Sequence, residues 1–222
     1  MKSVIIIGNS ITAEVLYNLI KEDDRYKVKC FAVDREFMSG NKFQGLKVVD
    51  INDIPQLFNN TEVKIIIAVG YNNVNQDREV IYSRLRDLNF EIETYIHQDA
   101  LVHTKDIGNG CIILPGSVVD PCCKIGENTV IWSNVICAHH TIIEDNCWVA
   151  SGSILSGQTK IGKNTFIGVG AIIVNEVNIG EYNIIGAGSL ITKNTGDNEV
   201  YLTKAGERIP FDSFNYAKVY GY

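Results

Sequence analysis

Two adjacent histidines, His139 and His140, are the side chains of this sequence best suited to moving a proton. An imidazole can accept a proton near neutral pH and hand it on. The other two histidines, His97 and His103, lie far upstream and read as locally hydrogen-bonded groups. A zinc hydratase needs three imidazoles spaced across a site, and this set does not supply them, so no metal is expected. A second chemical feature is the turn Gly8-Asn9-Ser10, set between the β-branched run Val4 to Ile7 and the helical spacing of Thr12 to Lys21. Unpaired amides and the helix dipole make such a turn a seat for phosphate. It lacks the G-x-G-x-x-G of dinucleotide sites, so a single nucleoside diphosphate is the better fit. Asp34, at the carboxyl end of the apolar run Val28 to Val33, either accepts hydrogen bonds from a ribose or base or serves as a surface turn residue.

The elements that carry these residues change character near residue 95. Before it, the apolar strands 4–7, 28–33 and 63–69 alternate with helical stretches at 12–21, 51–58 and 75–88. Strands that are apolar nearly throughout imply a parallel sheet covered on both faces, so residues 1–95 form an α/β nucleotide-binding domain. After the third strand, Gly70-Tyr71-Asn72-Asn73 follows, where a ligand could meet the sheet edge.

From Ile107 to Ile191 an apolar residue recurs at every sixth position, and a small or β-branched residue stands four places after each, with Asn183 the one outlier. A six-residue period is the signature of a parallel β-helix in which each hexapeptide forms one side of a triangular coil. Three hexapeptides then complete a coil, and residues one coil apart stack at about the 4.8 Å of paired strands. The glycines that often follow the apolar residue, as in Ile125-Gly126 and Ile161-Gly162, are expected to permit the turns. This all-β domain spans 96–195, with 196–222 a tail.

The net charge of -6 argues against a general affinity for nucleic acid or an anionic membrane. No segment reaches the roughly 20 apolar residues of a membrane span. Met1 to Ser10 reads as a first strand rather than a leader, which makes the chain cytoplasmic and its six cysteines reduced, small buried fillers.

Gapless hexapeptides behind a half-Rossmann domain resemble the NeuD/PglD family of bacterial sugar acyltransferases, over the chain to about residue 195. The stretch Cys137-Ala138-His139-His140-Thr141-Ile142-Ile143-Glu144-Asp145-Asn146 is similar to the family's H-[DE]-C-x-I-G-[DE]-x. The resemblance implies a left-handed β-helix, a homotrimer, acetyl-CoA as acyl donor and a nucleotide-linked 4-amino-4,6-dideoxy sugar as acceptor. His139 falls on the catalytic base. His140 replaces the acidic residue that orients it, leaving that role to Glu144, Asp145 or a carboxylate from elsewhere, unless His140 is itself the base. Trp148 stands where many relatives have a second histidine and either packs or reshapes the acyl pocket. Acyl-CoA is expected along Gly157, Val169 and Ala187, with the Gly157 amide as oxyanion donor. Gly8, Asn9, Ser10, Asp34, Tyr71 and Asn72 are the expected sugar-nucleotide contacts, with Thr12 in place of the family's histidine. O-acylation of a sugar hydroxyl and a non-catalytic binding protein are the alternatives.

Overall fold

The computed structural model describes residues 1–210 and 212–220. In the first domain β1 (Lys2–Ile7), α1 (Ile11–Ile20), β2 (Tyr26–Val33), β3 (Lys42–Phe43), β4 (Leu46–Asp50), α2 (Ile54–Leu57), β5 (Lys64–Ile67) and α3 (Gln76–Asp87) follow one another. The sheet runs β3-β4-β2-β1-β5, parallel except for the β3–β4 pair. The central strands are apolar on alternate residues of both faces because both faces are covered. Val4, Ile6, Phe31 and Ile66 pack with α1 and with Ile112, Val130 and Trp148 of the second domain. Ile5, Ile7, Ala32, Ile65 and Ile67 pack with Ile54 of α2 and with Tyr82 and Leu85 of α3.

The hexapeptides build the parallel β-helix that the period implied, left-handed as the resemblance implied. Its first face stacks two-residue strands from Tyr95–Ile96 to Val200–Tyr201, its second from Leu101–Val102 to Leu190–Ile191, and its third from Lys124–Ile125 to Asn178–Ile179. Pairing is parallel and offset by one coil, as in Val130↔Trp148 and Ile131↔Val149. The sixth-position residues from Ile113 to Ile191 are all buried, and Ile107 is partly so. The first face begins and ends slightly outside 96–195, since Val200–Tyr201 still pairs with Ile184–Ile185.

Two expectations need correction. The glycine after the apolar residue does not make the turn. The left-handed residue is two places further on, at Asn128, Asn134, His140 and Asn146, with φ of 54, 60, 61 and 58°. Gly162 serves close stacking instead, because a Cβ there would lie 2.6 Å from the Gly180 carbonyl carbon of the next coil. Among the cysteines, Cys122 is exposed and the other five are buried; it occupies a left-handed corner, with φ 67°, pointing away from the core.

Candidate functional site

A cavity of about 420 Å³ opens at the carboxyl edge of the sheet, lined by Gly8, Asn9 and Ser10 after β1, Asp34 after β2, Val69, Gly70 and Asn72 after β5, and Asp77 and Val80 of α3. Five of the six expected sugar-nucleotide contacts, Gly8, Asn9, Ser10, Asp34 and Asn72, thus share one pocket. Gly8 must be glycine: its φ is +123°, and a Cβ would lie 2.7 Å from the Ala68 carbonyl oxygen. That closeness lets the chain turn from β1 straight into α1, whose first amides lack intrahelical partners. The Asn9 amide donates to Phe37 O at 2.8 Å, tying the turn to the segment after β2. Arg84 of α3 donates to one oxygen of Asp34 at 2.8 Å.

Tyr71 departs from the set. Its ring packs on Phe166 at 4.6 Å and on Trp148 at 5.2 Å between centroids, on the first face of the β-helix. Trp148 is itself buried and stacks near Trp132 at 5.6 Å. It packs at the junction of the domains, away from the corner that holds the histidines.

His139 and His140 sit exposed at the corner between the second and third faces. Their Nδ1 atoms are 3.2 Å apart. One coil above, Gly157 lies directly behind the His139 ring: a Cβ at Gly157 would be 2.6 Å from Cε1 and 2.7 Å from Nε2. The imidazole therefore lies close against a bare backbone, whose carbonyl accepts from Glu176 N at 3.0 Å. Among the described residues the Gly157 N–H has no backbone acceptor.

Neither acidic candidate orients the pair. Glu144 and Asp145 belong to the next corner, between the third and first faces. Glu144 accepts from Lys163 N at 3.1 Å and pairs with Lys160 at 2.7 Å, and Asp145 accepts from Glu127 N at 2.7 Å. Among the described residues no carboxylate forms an ion pair with His139 or His140. Val169 and Ala187 are exposed one coil apart at the corner between the first and second faces. Within one protomer they and Gly157 flank the second face from opposite sides rather than lining one groove. His97 accepts from Asp99 N at 3.1 Å, a local bond as expected.

Two features escaped sequence reasoning. Arg78 of α3 is fully buried between the domains, and Asn128, Asn146 and Asn164 form a buried ladder one coil apart, bonded at 2.9 and 3.5 Å. The equal spacing of these asparagines was the available signal for the ladder. For Arg78 there was none, since arginine on an amphipathic helix normally faces solvent.

No helix among the described residues is long and apolar enough to cross a membrane, and none of their His, Cys, Asp or Glu side chains group as a metal site. The bacterial transferase hexapeptide (six repeats) matches residues 106–139 and 158–193, and the hexapeptide repeat of succinyl-transferase matches 123–156. No curated protein matches the chain by sequence. Among solved structures, PerB from Caulobacter crescentus, in complex with CoA and GDP-perosamine, is 24% identical at TM-score 0.79, over 90% of this chain and 93% of that one. The acetyltransferase domain of PglB from Neisseria gonorrhoeae is 23% identical at TM-score 0.81, over 90% and 96%. WeeI from Acinetobacter baumannii is 21% identical at TM-score 0.79, over 90% and 96%. The chain therefore carries bacterial transferase hexapeptide repeats over residues 106–193 and, as a whole, has the two-domain fold of these acetyltransferases.

Proposed function

We propose that this chain is an acetyl-CoA-dependent N-acetyltransferase acting on a nucleotide-linked 4-amino-4,6-dideoxy sugar, working in the cytoplasm as a homotrimer. The observation that carries this is the exposed His139 imidazole seated against the Gly157 backbone. In the reaction the sugar amine attacks the thioester carbonyl carbon, so a C–N bond forms and the C–S bond breaks. His139 Nε2 takes the amine proton and returns it to the departing thiolate. The Gly157 N–H donates to the carbonyl oxygen as negative charge builds there. His140 replaces the orienting carboxylate: with His139 Nδ1–H donating to His140 Nδ1, 3.2 Å away, the Nε2 lone pair is left for the substrate. The nucleotide occupies the cavity at the sheet edge, its diphosphate at the Gly8-Asn9-Ser10 turn. CoA and GDP-perosamine bound in PerB, and acetyl coenzyme A bound in the PglB domain, suit the same assignment.

The trimer is supported by the outer side of the second face. Leu101, Val118, Ile136, Ile154, Ile172 and Leu190 stack there as an unbroken apolar stripe, whereas the third face presents Lys124, Ile142, Lys160 and Asn178. Contiguous exposed apolar surface marks an interface, and cyclic closure is the usual result for identical copies. A second copy on the stripe brings the Val169 and Ala187 edge of one protomer toward the His139 edge of its neighbour, which assembles the acyl-CoA groove.

The test is thiol release from acetyl-CoA with UDP-, dTDP- and GDP-linked 4-amino-4,6-dideoxy sugars. Wild-type turnover that disappears in His139→Ala and persists, weakened, in His140→Ala is the expected result. Loss only in His140→Ala would move the base by one residue. No turnover with any amino sugar would point to a hydroxyl acceptor or a non-catalytic protein.

A further inference from the structure

Arg78 is fully buried, and among the described residues no carboxylate forms an ion pair with it. A cation in such a place is tolerated only where acceptors replace its lost water. Its two terminal nitrogens do this across the domain junction, while Nε has no partner among the described residues. Nη1 donates to Ile67 O at 2.8 Å and Val69 O at 3.0 Å, at the end of β5. Nη2 donates to Asn128 Oδ1 at 2.7 Å and Asn128 O at 3.3 Å, on a corner of the β-helix. The guanidinium carbon also lies 6.0 Å from the Trp148 ring.

The loop that runs on from Val69, which Arg78 holds, is strained. Asn73, Val74 and Asn75 take φ of 51, 49 and 62° in succession, and a β-branched residue such as Val74 is a true outlier there. Such backbone persists only where its surroundings over-determine it. Here every side-chain anchor of the loop is on the β-helix. Asn75 donates to Asn164 O at 3.2 Å and Thr165 O at 3.3 Å, and Tyr71 lies on Trp148 and Phe166. Between these anchors Val69, Gly70 and Asn72 form one wall of the nucleotide cavity.

We propose that Arg78 is a positioning residue that locks the pocket wall, through β5 and the 70–75 loop, to Asn128 of the β-helix, so that nucleotide affinity depends on a contact outside the pocket. This rests on the pocket assignment above. A lysine cannot replace the arginine, because one ammonium lacks the planar fork that holds acceptors on both domains at once.

The experiment measures binding of GDP, UDP, dTDP and CoA to the full chain by calorimetry, for wild type, Arg78→Lys and Asn128→Ala. Asn128 lines neither the pocket nor the histidine corner. The expected result is about a tenfold or greater loss of affinity for whichever diphosphate the wild type binds, the scale of lost buried charge-assisted bonds, with CoA binding unchanged. In turnover, KM for the nucleotide sugar rises while KM for acetyl-CoA holds. If Asn128→Ala fails to fold, Asn75→Gly gives the same readout, since it keeps the left-handed backbone and removes only the side-chain anchor. A folded variant with unaltered diphosphate affinity, or with equal losses for diphosphate and CoA, overturns the positioning role. A wild type that binds none of the three diphosphates overturns the pocket assignment, and the positioning role with it.

Discussion

Replacing Gly157 by alanine should silence transfer while leaving the fold intact. Gly157 is not among the residues with positive φ, so its backbone accepts a Cβ without strain. The new carbon would lie 2.6 Å from His139 Cε1 and 2.7 Å from Nε2. Non-bonded carbons settle at about 3.5–4.0 Å, so one partner must retreat by about 1 Å. The exposed imidazole is that partner, because it swings on its own torsions whereas the coil backbone is fixed by its ladder. Stability should hardly change, or rise slightly, since glycine-to-alanine at a compatible site narrows the unfolded ensemble. A displacement of about 1 Å at a reacting group costs roughly 10²-fold in rate, which is about 2.7 kcal/mol in the barrier. The assay is kcat for thiol release beside the melting temperature, with Gly40→Ala as control, since a Cβ at Gly40 meets nothing within 4 Å. A Gly157→Ala protein that melts normally and turns over within about threefold of wild type would refute the pairing of His139 with this amide.

The apolar stripe and the buried Glu93 give two further expectations. Ile136→Lys with Ile172→Lys, at positions 40% and 38% exposed, should yield a monomer in sedimentation velocity that has lost transfer but keeps nucleotide binding; a persistent trimer would rule out the second face as interface. Burial alone would raise the Glu93 carboxyl, but Lys2, Lys64 and the Tyr26 hydroxyl hold it below its ordinary value of 4.5. A lowered folded value means the stabilisation is present above 4.5 and is lost as pH falls through the folded value. Glu93→Gln should therefore melt below wild type at neutral pH, with the gap closing in acid; a gap constant from pH 7 down to about 3 would show that the charge contributes nothing.

How far the sequence could be read followed from the range of the interactions involved. The six-residue period exposed the β-helix because each coil repeats one local rule, an apolar residue inward at each side. Even the outlier has a local cause: Asn183 is buried where the coils end, and its amide donates to Thr195 Oγ1 and Gly196 O, both at 2.7 Å. β4 went unread because Lys47 and Asp50 break the apolar run of Leu46–Asp50, and β3 is only the pair Lys42–Phe43. In the site, the turn at Gly8 and the pair at His139 were legible, since each is a short motif with its chemistry on adjacent residues. Nothing nearby in sequence tells that the Tyr71 ring packs on Trp148 and Phe166.

The residues that join the two domains were illegible for a different reason. Arg78 belongs to a helix whose pattern is set by the sheet beneath it, yet its partner Asn128 is chosen by the β-helix, 50 residues on. Neither domain alone explains the pair: without the β-helix Arg78 would be a surface cation, and without α3 the Asn128 side chain would end an asparagine ladder at nothing. The ladder's other end is closed by α3 as well, where Asn164 donates to Glu79 Oε2 at 2.9 Å. Adjacent residues of one helix thus grip coils two steps apart, which fixes both the tilt of the helix and its height along the β-helix.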